Sequence, residues 1–294
     1  MVSHSLILDI IIGGAILGAI YSLIAVGLNL QYGVTRILNV AHGHFLMLGA
    51  YVTYFCFALF KMNPFASLIV TGPLMFLIGL IVYTVILRRV VKISRSNEEL
   101  EFRSLLLCFG LYFVIPGVAM SLWTANYRGY EVPLLGTINI FGAEFELNRI
   151  VIALISIVIN VILYLFLRFT KIGLSMRATV DQQQGAQLVG VNIHNIYAVS
   201  FSLGILLSAW AGTLISIIYS TISPFMGTSY TLIALVLVIL AGIGSFKGNI
   251  VAGFVLGYLT YTTMRVIHPA LTLVVVYSVL ILILLIRPTG LFSR

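Results

Sequence analysis

Few residues in this chain have types and spacings that could do chemistry, and most of them fail on inspection. His42 and His44 look like a metal pair. Two positions apart on a helix they point about 200° from each other, so they cannot converge on one ion. Asp9 is the one acidic residue inside an apolar run, and it lies near the end of the first run. Ion-coupled carriers hold protons or sodium with carboxylates at mid-depth, and a peripheral carboxylate reaching the interface is poor equipment for that. There is no G-x-x-x-x-G-K-[ST] loop to cradle nucleotide phosphates and no H-E-x-x-H for a metalloprotease. What remains is uncharged: Tyr21, Ser22, Thr53, Asn160, Ser202 and the run Thr260, Tyr261, Thr262 and Thr263. An amide in an apolar run, such as Asn160, must face protein or water, so it either bonds a neighbouring helix or lines a path. Arg36, Asn39 and His42 form a polar helix start beside Gly43, suited to satisfying free backbone groups or to lining the same path.

The elements that must position these residues are transmembrane helices. Of 294 residues, 61% are hydrophobic and 8% charged, whereas a soluble domain carries about 25% charged residues. This rules out a soluble enzyme, a disordered chain and a disulfide scaffold. The two cysteines, Cys56 and Cys108, sit in apolar runs and read as small buried hydrophobes. Apolar runs near 6–30, 37–60, 64–87, 104–123, 150–168, 197–219, 231–246, 250–267 and 270–286 predict an all-α polytopic membrane helix bundle. It has about eight to nine spans and no soluble domain. The seventh run is short and ends in AGIGSFKG, which predicts a broken or tilted helix. The N-terminus has no basic residue before its apolar run and reads as a retained first span.

The net charge of +8 marks a membrane face rather than nucleic acid. With alternating spans, one side holds Arg36, Arg88, Arg89, Lys92, Arg95, Arg103, Arg168, Lys171, Arg177, Lys247, Arg287 and Arg294, and the other only Lys61, Arg128, Arg149 and Arg265. The positive-inside rule then predicts an external N-terminus and a cytoplasmic C-terminus. Loops 88–103 and 169–196 are cytoplasmic, and loop 124–149, with Trp123, Tyr127 and Tyr130 at headgroup level, is external. Gly14 with Gly18, Gly253 with Gly257, and the stripe Gly204, Ser208 and Gly212 have the spacing of close helix packing within one subunit. A faint likeness between 43–51 and 248–259 hints at an internal repeat.

The most informative stretch is 170–195, TKIGLSMRATVDQQQGAQLVGVNIHN. Its polarity forbids a span. Ala178, Ala186 and Val189 fall near one helical face, with Leu174 a turn before Ala178, and Gly173 and Gly190 bracket them. The pattern predicts a short amphipathic helix that either fits a groove in a partner or only caps the bundle.

Here the sequence resembles the permease subunits of ATP-binding-cassette importers of the branched-chain amino-acid type. The likeness rests on Thr170, Gly173, Arg177, Ala178, Ala186, Gly190 and Val191, followed by Ala211 and Gly212. Asn39-Val40-Ala41-His42-Gly43 with Leu48-Gly49-Ala50-Tyr51, Gly242-Ile243-Gly244-Ser245, and Arg287-Pro288-Thr289-Gly290-Leu291 resemble three further family motifs in the correct order. The resemblance implies one transmembrane permease domain over 1–294 with a cytoplasmic coupling loop at 169–196, in a bacterial or archaeal inner membrane. Its partners are two separate ATPases, a second permease subunit (a sister chain in this family), an extracellular solute-binding protein and membrane lipid. No cofactor, metal or catalytic residue is implied. ATPase coupling falls to Gly173, Arg177, Ala178, Ala186 and Gly190, and the translocation path to Asn39, His42 and Gly43, beside Asn160 from the residue reading.

The chain departs from the family at His44, where members often carry an acidic residue, at Ala241, which replaces a turn glycine, and in loop 88–103. A small neutral or zwitterionic solute is expected, with branched-chain amino acids first and urea, short amides, sugars or nucleosides as alternatives. A stand-alone channel or carrier built on Asp9 and a membrane enzyme built on His42 and His44 are the competing classes.

Overall fold

The computed structural model describes residues 4–132, 135–140, 143–242 and 244–287. Ile243 and the C-terminal motif beyond Arg287, with Arg294, lie outside the described residues. Among the described residues eight helices are long and apolar enough to cross a membrane, and Met226–Ala241 is a shorter apolar helix. The chain is therefore a multi-pass membrane protein.

The spans begin and end where local chemistry dictates rather than where the apolar runs do. Helix α1 (His4–Thr35) runs on to Arg36, whose left-handed backbone (φ 57°) ends it. Helix α2 is His42–Phe60. Helix α3 (Leu68–Val82) passes through a π turn at Tyr83–Leu87 into α4 (Arg88–Ile93). The fourth span, α5 (Asn97–Trp123), starts seven residues before its apolar run because the polar loop carries a helix cap. Ser96 accepts from the Glu99 backbone N–H at 3.2 Å, and Glu99 accepts from the Arg95 N–H at 2.7 Å.

Helix α6 is Leu147–Phe169. The polar stretch forms α7 (Lys171–Asp181) and α8 (Gln183–Leu188). Helix α9 is Ile193–Tyr219, α10 Met226–Ala241, α11 Phe246–Thr262 and α12 Thr272–Ile286. A 16-residue helix like α10 is about 24 Å long, less than the roughly 30 Å hydrocarbon core. It is the helix of the short seventh apolar run, displaced five residues toward the N-terminus because Gly242 (φ 81°) stops it.

Helices α1 and α9 are the centre, each with 78% of its most apolar window buried, against 11% for α5 and α12. The small-residue stripes make this centre. Gly18 and Gly257 meet across the α1–α11 crossing, and a Cβ at Gly253 would sit 2.5 Å from the Ser22 nitrogen. On α9, a Cβ at Gly204 would lie 2.5 Å from the Gly27 carbonyl oxygen, and Gly212 packs on the Leu46 carbonyl. Between them Ser208 donates to the His42 carbonyl at 2.8 Å. Lipid gives helices no hydrophobic reason to associate, so this backbone approach supplies the attraction. Both cysteines are free and buried, as their apolar surroundings foretold.

Polar contacts fix α1 and α11 as antiparallel. Asn29 of α1 meets Gly242 after α10 and Asn249 of α11. At the other end of the same helices, Asp9 meets Tyr261 and Arg265. The first end carries Arg36, Arg88, Arg89, Lys92 and the polar helices α7 and α8, and is called the basic end below. At the opposite end, strand β1 (Arg128–Gly129) pairs with β4 (Thr221–Ile222), and β2 (Thr137–Ile140) with β3 (Ala143–Glu146). There Tyr127 is exposed as read, but Tyr130 is buried, 2.7 Å from Ser216 of α9. Burial pushes the Tyr130 hydroxyl up to about 12, with the Ser216 bond pulling the other way, so it stays neutral at physiological pH.

Candidate coupling and permeation site

The basic end presents helices α7 and α8, whose shape departs from the single amphipathic helix read from the sequence. Gln182 adopts an extended backbone (φ −155°, ψ 101°) and breaks the segment in two. Helical periodicity therefore does not carry from Ala178 to Ala186. The buried face of α7 is Gly173, Met176 and Thr179, while Leu174 is 59% exposed. In α8, Ala186 is buried but Val189, expected on the same face, is exposed.

Each residue of the expected coupling set has a distinct place. Thr170 caps α7 by accepting from the Gly173 N–H at 3.0 Å. Gly173 itself lies against the backbone of Phe166 and Leu167, where a Cβ would come within 2.5 Å. Arg177 donates to the Arg168 carbonyl at 3.2 Å, closing one of the free carbonyls at the end of α6. Ala178 is half-buried and Ala186 buried. Gly190 has φ 86° with open space around it, which is a stop that only a residue tolerant of left-handed backbone supplies. Of these five, Gly173 and Ala186 are buried, whereas Arg177 and Gly190 are exposed. The exposed surface is mixed: Lys171, Asp181 and three glutamines stand beside apolar side chains, among them Leu188, 89% exposed, and Val180.

The polar helix start is a buried junction of α1, α2, α9 and α10. Asn39 is fully buried, accepts from the Ala41 N–H at 3.1 Å and donates to Gln31 at 3.3 Å. Gln31 in turn donates to the Phe201 carbonyl at 2.8 Å. The Gly43 N–H is one of the free donors at the start of α2, and Thr231 of α10 accepts it at 3.1 Å. A Cβ on Gly43 would collide with the Gly227 carbonyl and the Thr231 nitrogen. His42 and His44 are both buried; the His42 ring faces the Ile24 backbone, and neither ring nitrogen of His44 has a hydrogen-bond partner among the described residues. Their rings diverge: His42 lies beside Gly27 of α1, and His44 stands edge-on to Tyr112 of α5 at 4.6 Å.

Asn160 donates to Ser22 of α1 at 2.8 Å and to the Ser156 carbonyl at 3.1 Å. Ser22 keeps a second bond to the Ala19 carbonyl at 2.7 Å. Asn160→Leu therefore orphans no partner, and it is expected to cost about 1 kcal/mol in detergent unfolding titrations while sparing transport. Lost transport at unchanged stability would instead place Asn160 on the solute path. Asp9 pairs with Arg265 at 2.8 Å and accepts from Tyr261 at 2.8 Å. A π turn at Thr263–Ile267 carries that arginine. A carboxylate held this way has little freedom to exchange a coupling ion.

Sequence reading missed Asn29, Gln31 and Asn249, three buried amides at the basic end. For Asn29 and Gln31 the signal was present in GLNLQYG, two amides two positions apart inside an apolar run. Among the described residues no Asp, Glu, Lys or Arg is buried, and no group of three or more His, Cys, Asp or Glu could hold a metal ion. The interior is amide, hydroxyl and imidazole.

A multi-pass bundle with an uncharged polar interior and an apolar-tipped polar loop at one end has the framework of a membrane transport component. The family described as the permease component of branched-chain amino acid transport systems matches residues 10–284, and the chain belongs to it. It is similar to the high-affinity branched-chain amino acid transport system permease protein LivH of Escherichia coli (strain K12), 29% identical over 295 residues, covering 96% of this chain and 94% of that one. The corresponding protein BraD of Pseudomonas aeruginosa is 29% identical over 298 residues, covering 97% and 95%. A probable branched-chain amino acid transport permease protein of Methanocaldococcus jannaschii is 27% identical over 247 residues, covering 83% and 77%. No solved structure matches the chain.

Proposed function

We propose that this chain is a single permease domain of an ATP-binding-cassette importer, without catalytic activity of its own, that moves branched-chain amino acids inward. Two ATPase subunits supply the energy, a second permease subunit completes the path, and an extracellular binding protein delivers the solute. The end-to-end likeness to LivH and BraD carries the choice of solute. An uncharged polar interior suits it, because a zwitterion with an aliphatic side chain needs hydrogen-bonding groups rather than a fixed counter-charge.

The basic end is the cytoplasmic face and the N-terminus is outside. The excess of Arg and Lys at that end supports this orientation. Loop 169–196 is the ATPase docking element. The support is physical: Leu188 and Val189 stand exposed at the tip of a polar segment, where water disfavours them. Gly173, Arg177, Ala178, Ala186 and Gly190 hold that tip in place. Asn39, His42, Gly43 and Asn160 belong to the polar interior beside the solute path.

The test is uptake by the assembled complex in liposomes with its binding protein. Labelled leucine, isoleucine or valine is expected to accumulate with ATP, and excess unlabelled valine to suppress leucine uptake. Accumulation of ribose or urea in place of these three would overturn the choice of solute.

A further inference from the structure

Asn29 makes three hydrogen bonds from one buried side chain. Its Nδ2 donates to the Gly242 carbonyl at 3.0 Å and to Asn249 Oδ1 at 2.7 Å, and its Oδ1 accepts from the Gly244 N–H at 2.7 Å. The backbone groups fix the orientation of the amide, since a carbonyl can only accept and an N–H can only donate. Both Asn29 and Asn249 are 2% exposed. Gly242 and Gly244 both have left-handed backbone, φ 81° and 75°. One turn along α1, Gly33 packs on Gly244, its Cβ position 3.4 Å from the Gly244 Cα. Helix α7 packs on α1, and Val180 Cγ1 stands 3.9 Å from where a Cβ on Gly244 would lie.

These contacts form one physical chain. Helix α7 packs on α1, Asn29 of α1 clamps Gly242 and Gly244, and Asn29 is bonded to α11 through Asn249. The glycine turn ends α10, and α11 begins just after it. A shift of α7 against α1 is therefore carried to the glycines after α10 and to α11 through one amide. Buried hydrogen bonds in a low-dielectric surround hold geometry firmly, because an unmade bond there is costly.

We propose that Asn29 is a positioning residue that transmits movement of α7 to the α1–α10–α11 core, and that it sets how much solute moves per ATP. This rests on the reading of loop 169–196 as the ATPase docking element. Gln31, two positions on, bonds the loop before α2 and α9 instead, so the two amides serve different halves of the bundle.

The experiment measures ATP hydrolysed and leucine accumulated in the same liposome preparation of the assembled complex. Asn29→Leu keeps the side-chain size and removes all three bonds. It is expected to lower leucine moved per ATP by about fivefold or more, with the ATPases still bound. Asn249→Ala removes only the α11 link and is expected to give a smaller fall in the same direction. It carries the test if Asn29→Leu does not assemble. An unchanged ratio in the variants that assemble, with ATPases docked at α8, overturns the clamp and leaves the docking reading standing. ATPases that cross-link to another segment overturn the docking reading and the clamp with it. A loss of folding alone would lower both rates together and leave the ratio where it was.

Discussion

Leu188→Asp is expected to leave the permease folded and to abolish productive contact with its ATPases. Leu188 is 89% exposed and sits at the C-terminus of α8, so the chain itself loses little packing. A leucine that becomes buried in a partner groove contributes about 1.5–3 kcal/mol, and a carboxylate in its place adds a desolvation cost. Affinity of the ATPases should therefore fall by about tenfold to a hundredfold or more. Co-purification of the ATPases and transport-linked ATP hydrolysis both report it. Retained hydrolysis and retained co-purification would show that the exposed tip is not the docking surface. The contrast with Ala186→Trp is instructive. Ala186 is buried, so that change attacks the corner and should lower stability and coupling together.

The second large effect concerns the core. Gly257→Leu is expected to prevent folding, because the added side chain would occupy the backbone of α1 at Gly14 and Gly18. Overpacking in a closely packed interior costs about 1–3 kcal/mol and sometimes more. Here the obstacle is main chain, which cannot change rotamer, so the helices must part. Gly117→Leu is the control: a Cβ there meets nothing within 4 Å, and α5 is peripheral. Yields of monodisperse protein in mild detergent should fall about tenfold for the first and stay level for the second. Equal yields would mean that the α1–α11 crossing is looser than its geometry.

The bundle was legible in the sequence because lipid imposes long apolar helices and small residues at their crossings. Gly14, Gly18, Gly253 and Gly257 were read as packing residues and meet across one crossing. Helix ends were less legible, because caps override hydropathy: Ser96 and Glu99 start α5 inside polar sequence, and Gly242 stops α10 inside an apolar run. The polar segment 170–195 was legible as lying outside the spans, but its faces were misassigned because one extended residue, Gln182, resets the helical phase. Asn29, Gln31 and Asn249 escaped notice for a related reason. An amide near the end of a long span looks like a tolerated interface residue until its partner, more than 160 positions away, is seen.

The central claim is that this chain is a passive gate driven from its basic end. The most direct measurement is leucine accumulation against a gradient in liposomes loaded with ATP and supplied with binding protein. One preparation holds both permease subunits with the ATPases, and the other holds the permeases alone. Accumulation in the first and only equilibration or no uptake in the second is the predicted result. Concentrative uptake by permeases without ATPases would contradict it.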